Sequence, residues 1–202
     1  DANWQVMAML NLLLVVAGAC LLYHTEYADN GLQKMKSLPV LESSIFFGKM
    51  VLMILMSVLL LVMEAASILF CSWHWFGGQA GGGQLGGGDG SVFVIELCQS
   101  FGYAFLLMLP CVVLSLLISE ACKNMWISLG IGIVCVFTAT MLPTSSFVLS
   151  LFPFAMPFQV FAGADAAWTT RFICAAVVEL VVLGGAEVLI VGGRLNEFFI
   201  AS

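Results

Sequence analysis

Four glutamates lie inside long apolar runs of the sequence, where a carboxylate is a candidate for catalysis or for binding a cation. They are Glu64, Glu96, Glu179 and Glu187. An ionised side chain at the centre of a bilayer costs about 2.5 to 3.5 kcal/mol. We therefore expect these side chains to face the interior of a helix bundle or to be protonated.

The motifs that would place such residues in an enzyme's active site do not occur. Intramembrane metalloproteolysis needs H-E-x-x-H, or E-E-x-x-x-R with a distant histidine, and the sequence has neither. The stretch 76–91 is rich in glycine, and Gly83 and Gly88 have the spacing of a P-loop. Asp89 and Gly90 follow, however, where a P-loop requires Lys and then Ser or Thr. We interpret the stretch as a flexible linker.

The cysteines also form no recognisable metal or disulfide pattern. None belongs to a C-x-x-C pair and their number is odd, so we interpret them as small buried apolar residues. The seven are Cys20, Cys71, Cys98, Cys111, Cys122, Cys135 and Cys174.

The composition predicts an all-α integral membrane protein with a single transmembrane domain. Of the 202 residues, 62% are hydrophobic and 9% are charged, whereas a soluble domain has about 25% charged residues. The net charge of −6 and the lack of a basic stripe argue against nucleic-acid binding. A spanning helix needs about 20 apolar residues, and the apolar runs here are not the alternating strands of a barrel. The five predicted spans are residues 4–23, 48–75, 92–118, 125–142 and 172–191.

The basic residues predict the orientation of these spans. All but Arg171 fall in segments that would share one face, which the positive-inside rule makes cytoplasmic. The carboxyl end is then cytoplasmic and the amino end external. Because no signal peptide and no initiator methionine precede the first span, we expect six spans in the intact chain. The residues on the predicted cytoplasmic face are Lys34, Lys36, Lys49, Lys123 and Arg194.

A proline-broken apolar segment, about 143–168, precedes the last span. Pro143, Pro153 and Pro157 interrupt it, and proline breaks helices. We predict one or two short external helices that re-enter the outer leaflet or cap the bundle. Irregular backbone at that depth must be buried in protein or line a cavity.

The segment between the first two spans resembles a known family. Type-2 ABC exporter permeases have an acidic residue, then Gly-Leu, then Pro-Val or Pro-Ile, with a lysine ten residues after that proline. The form NGLQKMKSLPV is most similar to the permeases of lantibiotic immunity transporters, although Glu42 stands where the family often has a basic residue. The ungapped matches are Glu26, Gly31, Leu32, Pro39, Val40, Gly48 and Lys49.

The resemblance implies a division of labour between subunits. This chain would bind no cofactor itself, and a separate cytoplasmic ABC ATPase would bind ATP and Mg. That ATPase would dock on a coupling helix, about residues 25–37, and drive two permease chains, identical or sister. The expected coupling residues are Glu26, Asp29, Asn30, Gly31, Leu32, Lys36 and Pro39.

The carboxylates suggest a cargo but leave alternatives open. At about 1.5 Å per residue, Glu64 lies about 16 Å from the outer edge, Glu179 about 12 Å and Glu96 about 6 Å. The three could form a recess for a cationic peptide, or they could only bond to neighbouring helices. Other cargoes, such as a lipid, glycan or drug, and a membrane subunit without transport are the alternative functions.

Overall fold

The computed structural model describes residues 2–28, 42–76, 90–122, 124–142, 147–160 and 166–200. Every regular element in these ranges is a helix, which confirms the predicted all-α membrane fold. In chain order they are α1 (Ala2–Ala28), α2 (Glu42–Phe76), α3 (Gly90–Ala121), α4 (Met125–Met141), α5 (Phe147–Ser150), a 3-10 helix (Met156–Gln159) and α6 (Ala166–Ile200).

Four of the helices are long and apolar enough to cross a membrane. Their apolar parts are Trp4–Thr25, Phe46–Ser72, Phe93–Ala121 and Trp168–Ala186. Helix α4 is apolar too, but its 17 residues span only about 26 Å at 1.5 Å per residue. The bilayer core is about 30 Å thick, so α4 is the shortest of the predicted spans.

The direction of each helix follows from contacts near its ends. Trp4 and Phe101 meet edge to face, with ring centroids 5.8 Å apart, and Tyr23 bonds to Glu120. Helices α1 and α3 therefore run parallel. Helix α2 runs the other way, because Phe46 near its start packs against Tyr23.

The turn from α3 to α4 is closed by local hydrogen bonds. The backbone N–H of Cys122 donates to the carbonyl of Ile118, which ends α3. Asn124 then caps α4, since its side-chain oxygen accepts the N–H of Trp126 at 3.1 Å and satisfies a donor that the helix leaves open. This short connection holds α3 and α4 antiparallel and adjacent.

Close approach of α1 and α4 depends on a glycine. A Cβ atom at Gly132 would overlap the side chain of Val16. Small residues at such points let helix backbones approach closely in membranes. The core around this contact includes Leu12, Cys20 and Val136, all buried.

Three cysteines do not have the buried positions that the sequence led us to expect. Cys20 and Cys111 are buried, but Cys71, Cys98 and Cys174 are exposed on the surface of the chain. In a membrane helix the outward face meets lipid, which is as apolar as the core. A small apolar residue therefore has no preference for the inside.

Candidate functional site

The predicted coupling segment lies largely outside the described residues. Asp29, Asn30, Gly31, Leu32, Lys36 and Pro39 all belong to residues 29–41, and Glu26 lies on the last part of α1. Their roles therefore stay predictions. The structure does define the helix ends on either side, at Ala28 of α1 and Glu42 of α2.

Polar side chains gather at the end of the bundle that adjoins residues 29–41. The ammonium of Lys49 lies 3.6 Å from the centroid of the Tyr23 ring. The hydroxyl of Tyr23 donates to Oε2 of Glu120, at 3.4 Å. These contacts join α2, α1 and α3 in one cluster.

A second polar set at the same end is neutral and buried. The Ser119 and Ser128 hydroxyls are 3.0 Å apart, and the thiol of Cys20 lies 3.3 Å from Ser128 and 3.6 Å from Ser119. The set ties α1, α3 and α4 together. The crevice beside it, which His24 and Cys122 also line, has no room for a water molecule, so we assign these groups to packing.

Glu64 is the carboxylate that the structure places in a helix interface. The side-chain amide of Asn11 on α1 donates to Oε2 of Glu64 on α2, at 2.9 Å. Asn11 is only 6% exposed, and Glu64 is half-buried. A hydrogen bond between two spanning helices satisfies groups that hydrocarbon cannot.

Glu179 also faces partly inward, on α6. Its Oε2 atom is buried and has no hydrogen-bond partner among the described residues. Helix α6 packs on α3 through Phe172 and Ala176, which form a cluster with Ala104 and Leu107. Glu179 lies two helical turns further along α6 from Phe172, within the same span.

Glu96 does not face the interior of the chain, so of the two expectations for these glutamates, an inward position or protonation, the first is wrong for this residue. It is exposed on α3, where Phe93, Val94 and Ile95 are exposed as well. This part of α3 lies beyond Phe101, the level at which α3 meets Trp4 near the start of α1. Among the described residues, no hydrogen bond joins any two of Glu64, Glu96 and Glu179.

The proline-broken segment packs deep inside the bundle. The thiol of Cys111 on α3 donates to the carbonyl of Pro153, at 3.5 Å. Cys111 lies about 15 Å along α3 from Ala121 and about 27 Å from Phe93, so Pro153 sits well within the apolar length of α3. Residues 154–160 are all buried. Protein therefore surrounds the irregular backbone, as the low dielectric requires.

A hydrogen bond within this segment closes it on itself. The side-chain amide of Gln159 donates to the hydroxyl of Ser150, at 3.0 Å, and both residues are buried. On the outer side of the segment an open apolar groove of about 460 Å³ runs along α4, lined by Thr138, Leu142, Val148, Leu149, Leu151 and Phe152.

Sequence reasoning missed Asn11, Ser150 and Gln159. For Asn11 and Gln159 the available signal was an amide side chain inside an apolar run, because a buried amide almost always has a hydrogen-bond partner. The partner itself is not readable from the sequence: Asn11 and Glu64 are far apart in the chain. In the part of the chain that the structure describes, no three His, Cys, Asp or Glu residues are placed to hold a metal ion.

Comparison with known proteins adds one finding. The family model described as ABC-2 family transporter protein matches residues 2–140, which include α1 to α4. No curated protein and no solved structure matches the chain.

Proposed function

The chain belongs to the ABC-2 family transporter proteins, and on this premise we propose that its cargo is a lantibiotic-like antimicrobial peptide, expelled for self-immunity. Family membership makes it a multi-pass membrane subunit of a transporter and not a catalytic subunit. The motif that resembles lantibiotic immunity permeases supports the narrower cargo.

The inward-facing carboxylates are the observation that carries this proposal. Glu64 and Glu179 are both half-buried within spans. Asn11 supplies Glu64 with one hydrogen bond, which leaves its charge uncompensated among the described residues. Ionisable side chains inside membrane spans are rare and mark substrate and ion pathways, and the negative charge of these two would attract a cationic peptide.

The proposal assigns energy conversion to a partner. A cytoplasmic ABC ATPase binds ATP and Mg and docks on the coupling helix, about residues 25–37, while a second permease chain, identical or sister, completes the pathway. Helices α1 and α2 support this assignment because α1 runs into the start of that segment, to Ala28, and α2 begins after it, at Glu42. Displacement of that segment would act directly on both helices.

The charge of Glu64 and Glu179 can be tested without removing the hydrogen bond from Asn11 to Glu64. Glutamine at position 64 can still accept the hydrogen bond from Asn11 but has no charge. We expect Glu64→Gln and Glu179→Gln each to reduce protection of cells against a cationic lantibiotic about tenfold to a hundredfold, because a hydrogen bond to a charged group contributes about 1.5 to 3 kcal/mol. The readout is survival against lantibiotic concentration, normalised to permease abundance.

Glu96→Gln is the matched control, because it removes the same charge from a side chain that is exposed. We expect protection close to that of the parent. Full protection by the double variant Glu64→Gln/Glu179→Gln would overturn the electrostatic recess. Loss of protection only in alanine variants with reduced membrane levels would assign the glutamates to packing.

The proposed orientation has its own test. In a cysteine-free background, single cysteines at Ser37 and Gly86 should react with an impermeant thiol reagent from opposite sides of the membrane. The positive-inside pattern motivates this expectation. Labelling of both positions from outside would refute the orientation and the docking of an ATPase on the coupling helix.

The apolar groove beside the proline-broken segment favours a second cargo class. Its lining is almost entirely aliphatic and aromatic, and Val148 is 78% exposed. Such a surface suits the apolar part of an amphipathic cargo such as a lipid or a drug. Val148→Asp would then impair export of that cargo, whereas protection against a cationic lantibiotic would depend on Glu64 and Glu179.

A further inference from the structure

The cluster of Lys49, Tyr23 and Glu120 lies where the proposed motor would act on the bundle. We propose that Lys49 is a positioning residue for transport: through Tyr23 it clamps α2 to α1 and α3, so that the three helices move as one body when residues 29–41 are displaced. The inference rests on the proposed function only in requiring an ATPase that acts on that segment.

The clamp includes two successive contacts through one aromatic ring. Lys49 on α2 places its ammonium 3.6 Å from the centroid of the Tyr23 ring. Tyr23 on α1 donates its hydroxyl to Glu120 on α3. A cation over an aromatic face is attracted by the ring's quadrupole, more strongly where water is excluded, and Tyr23 is only 6% exposed.

The ring cannot shift without losing both contacts. Phe46, Val112 and Leu116 pack in the same buried cluster as Tyr23 and hold the ring from the side of the core. A cation faces the ring and a carboxylate accepts its hydroxyl. Tyr23 therefore adds a polar link between α2 and α3 to their direct packing, in which Met53 of α2 shares a buried cluster with Met108 of α3.

The position of the clamp relates it to coupling. Tyr23 lies in the last two turns of α1, and Lys49 lies about two turns after the start of α2. Both therefore belong to the helix ends that residues 29–41 connect. On the other side, α1, α3 and α4 are joined by Cys20, Ser119 and Ser128. Helix α2 is bound to α1 further along by the bond from Asn11 to Glu64, and Lys49 adds a link at the end of the bundle that adjoins residues 29–41.

This arrangement predicts which distances change when ATP binds. Probe pairs on exposed positions of the permease–ATPase complex in nanodiscs would report them: Phe70 on α2 with Ile95 on α3, and Ile95 with Val181 on α6. In the parent, trapping with ATP and vanadate should leave the α2–α3 distance unchanged and alter the α3–α6 distance. In Lys49→Met the α2–α3 distance should change, and the α3–α6 change should fall to about half or less, because the cation is gone.

Two further variants distinguish loss of the clamp from a general loss of folded protein. Lys49→Arg keeps a cation over the ring and should restore the parent's behaviour. Tyr23→Phe keeps the ring beneath Lys49 but loses the bond to Glu120, so it should weaken the link between α3 and α2 without loss of folded protein. Thr25→Val is the matched control, because among the described residues the Thr25 hydroxyl bonds to carbonyls of its own helix, at Leu21 and Leu22.

The outcomes distinguish the clamp from the function on which it rests. Parent-like distances in Lys49→Met would overturn the clamp while leaving ATP-driven transport intact. An α2–α3 distance that changes in the parent itself would also overturn it. If no pair responds to ATP and vanadate in the parent, the ATPase-coupled function fails and the clamp fails with it.

Discussion

Helices α3 and α6 are both apolar enough to span a membrane, yet they are used in opposite ways. In the apolar window of α3, 56% of residues are buried inside the chain, whereas in that of α6 the share is 11%. Helix α3 carries Leu107, Val112 and Leu116, all fully buried. The comparison shows that hydropathy identifies a spanning helix but not whether protein or lipid surrounds it.

Helices α1 and α2 repeat the contrast. In the apolar window of α1, 44% of residues are buried, whereas in that of α2 the share is 17%, although the two windows have similar mean hydropathy. The two more buried helices, α1 and α3, both pack against α4. Val16 of α1 approaches Gly132 of α4 closely, and Cys20, Ser119 and Ser128 form a polar set between the three helices. In lipid, packing and interhelical hydrogen bonds, not hydrophobicity, hold helices together.

The largest effect should come from removing a core side chain from α3. Leu107 is 0% exposed, and Leu107→Ala leaves a cavity that its neighbours cannot fill, at about 2 to 5 kcal/mol of unfolding free energy. Leu55→Ala on α2 is the same substitution at a side chain that is 62% exposed, and we expect a change within about 0.5 kcal/mol. Unfolding in mixed micelles measures both. Equal losses would refute the contrast between the two helices.

The second-largest effect should come from the close contact between α1 and α4 at Gly132. A methyl group at Gly132 overlaps Val16, so Gly132→Ala should cost about 1 to 3 kcal/mol. Gly130→Ala, on the same helix with open space around it, should instead stabilise by up to about 1 kcal/mol through helix propensity. Adding Val16→Ala to Gly132→Ala makes room for the methyl group and should recover part of the loss. Absence of that recovery in the same unfolding assay would argue against the overlap.

A smaller effect should come from the polar pair between α1 and α2. Asn11→Leu leaves Glu64 without its donor, and interhelical hydrogen bonds in membranes contribute about 0.6 kcal/mol on average, with a maximum of about 1.7. The double variant Asn11→Leu/Glu64→Leu removes both polar groups, and we expect it to be close to neutral. A thermodynamic cycle over the four proteins measures the coupling. Strictly additive losses would mean that the bond contributes nothing.

The smallest effect should be found on the outer face of α6. Val181 is 70% exposed, so Val181→Ala should change the unfolding free energy of the single chain by no more than about 0.5 kcal/mol. The assay must use monomeric protein in detergent. A loss well above that value would mean that protein covers this face of α6.

The sequence by itself determined the class of the protein and its family. Low charge and long apolar runs required spanning helices, because backbone groups in lipid must bond within their own segment. The prolines at 153 and 157 indicated a broken segment, since proline removes a backbone donor. The segment from Glu26 to Lys49 pointed to ABC permeases, and the family match to residues 2–140 agrees.

Only the tertiary structure decided which face of each helix is inside. A soluble helix marks its buried face by hydrophobic periodicity, but a helix in lipid is apolar all round, so Glu64 and Glu96 looked equivalent in sequence. The structure gives Glu64 a partner on α1 and leaves Glu96 exposed. It likewise brings Lys49, Tyr23 and Glu120 together from three helices. Long-range pairing of this kind depends on how the helices pack, which no local pattern of residues records.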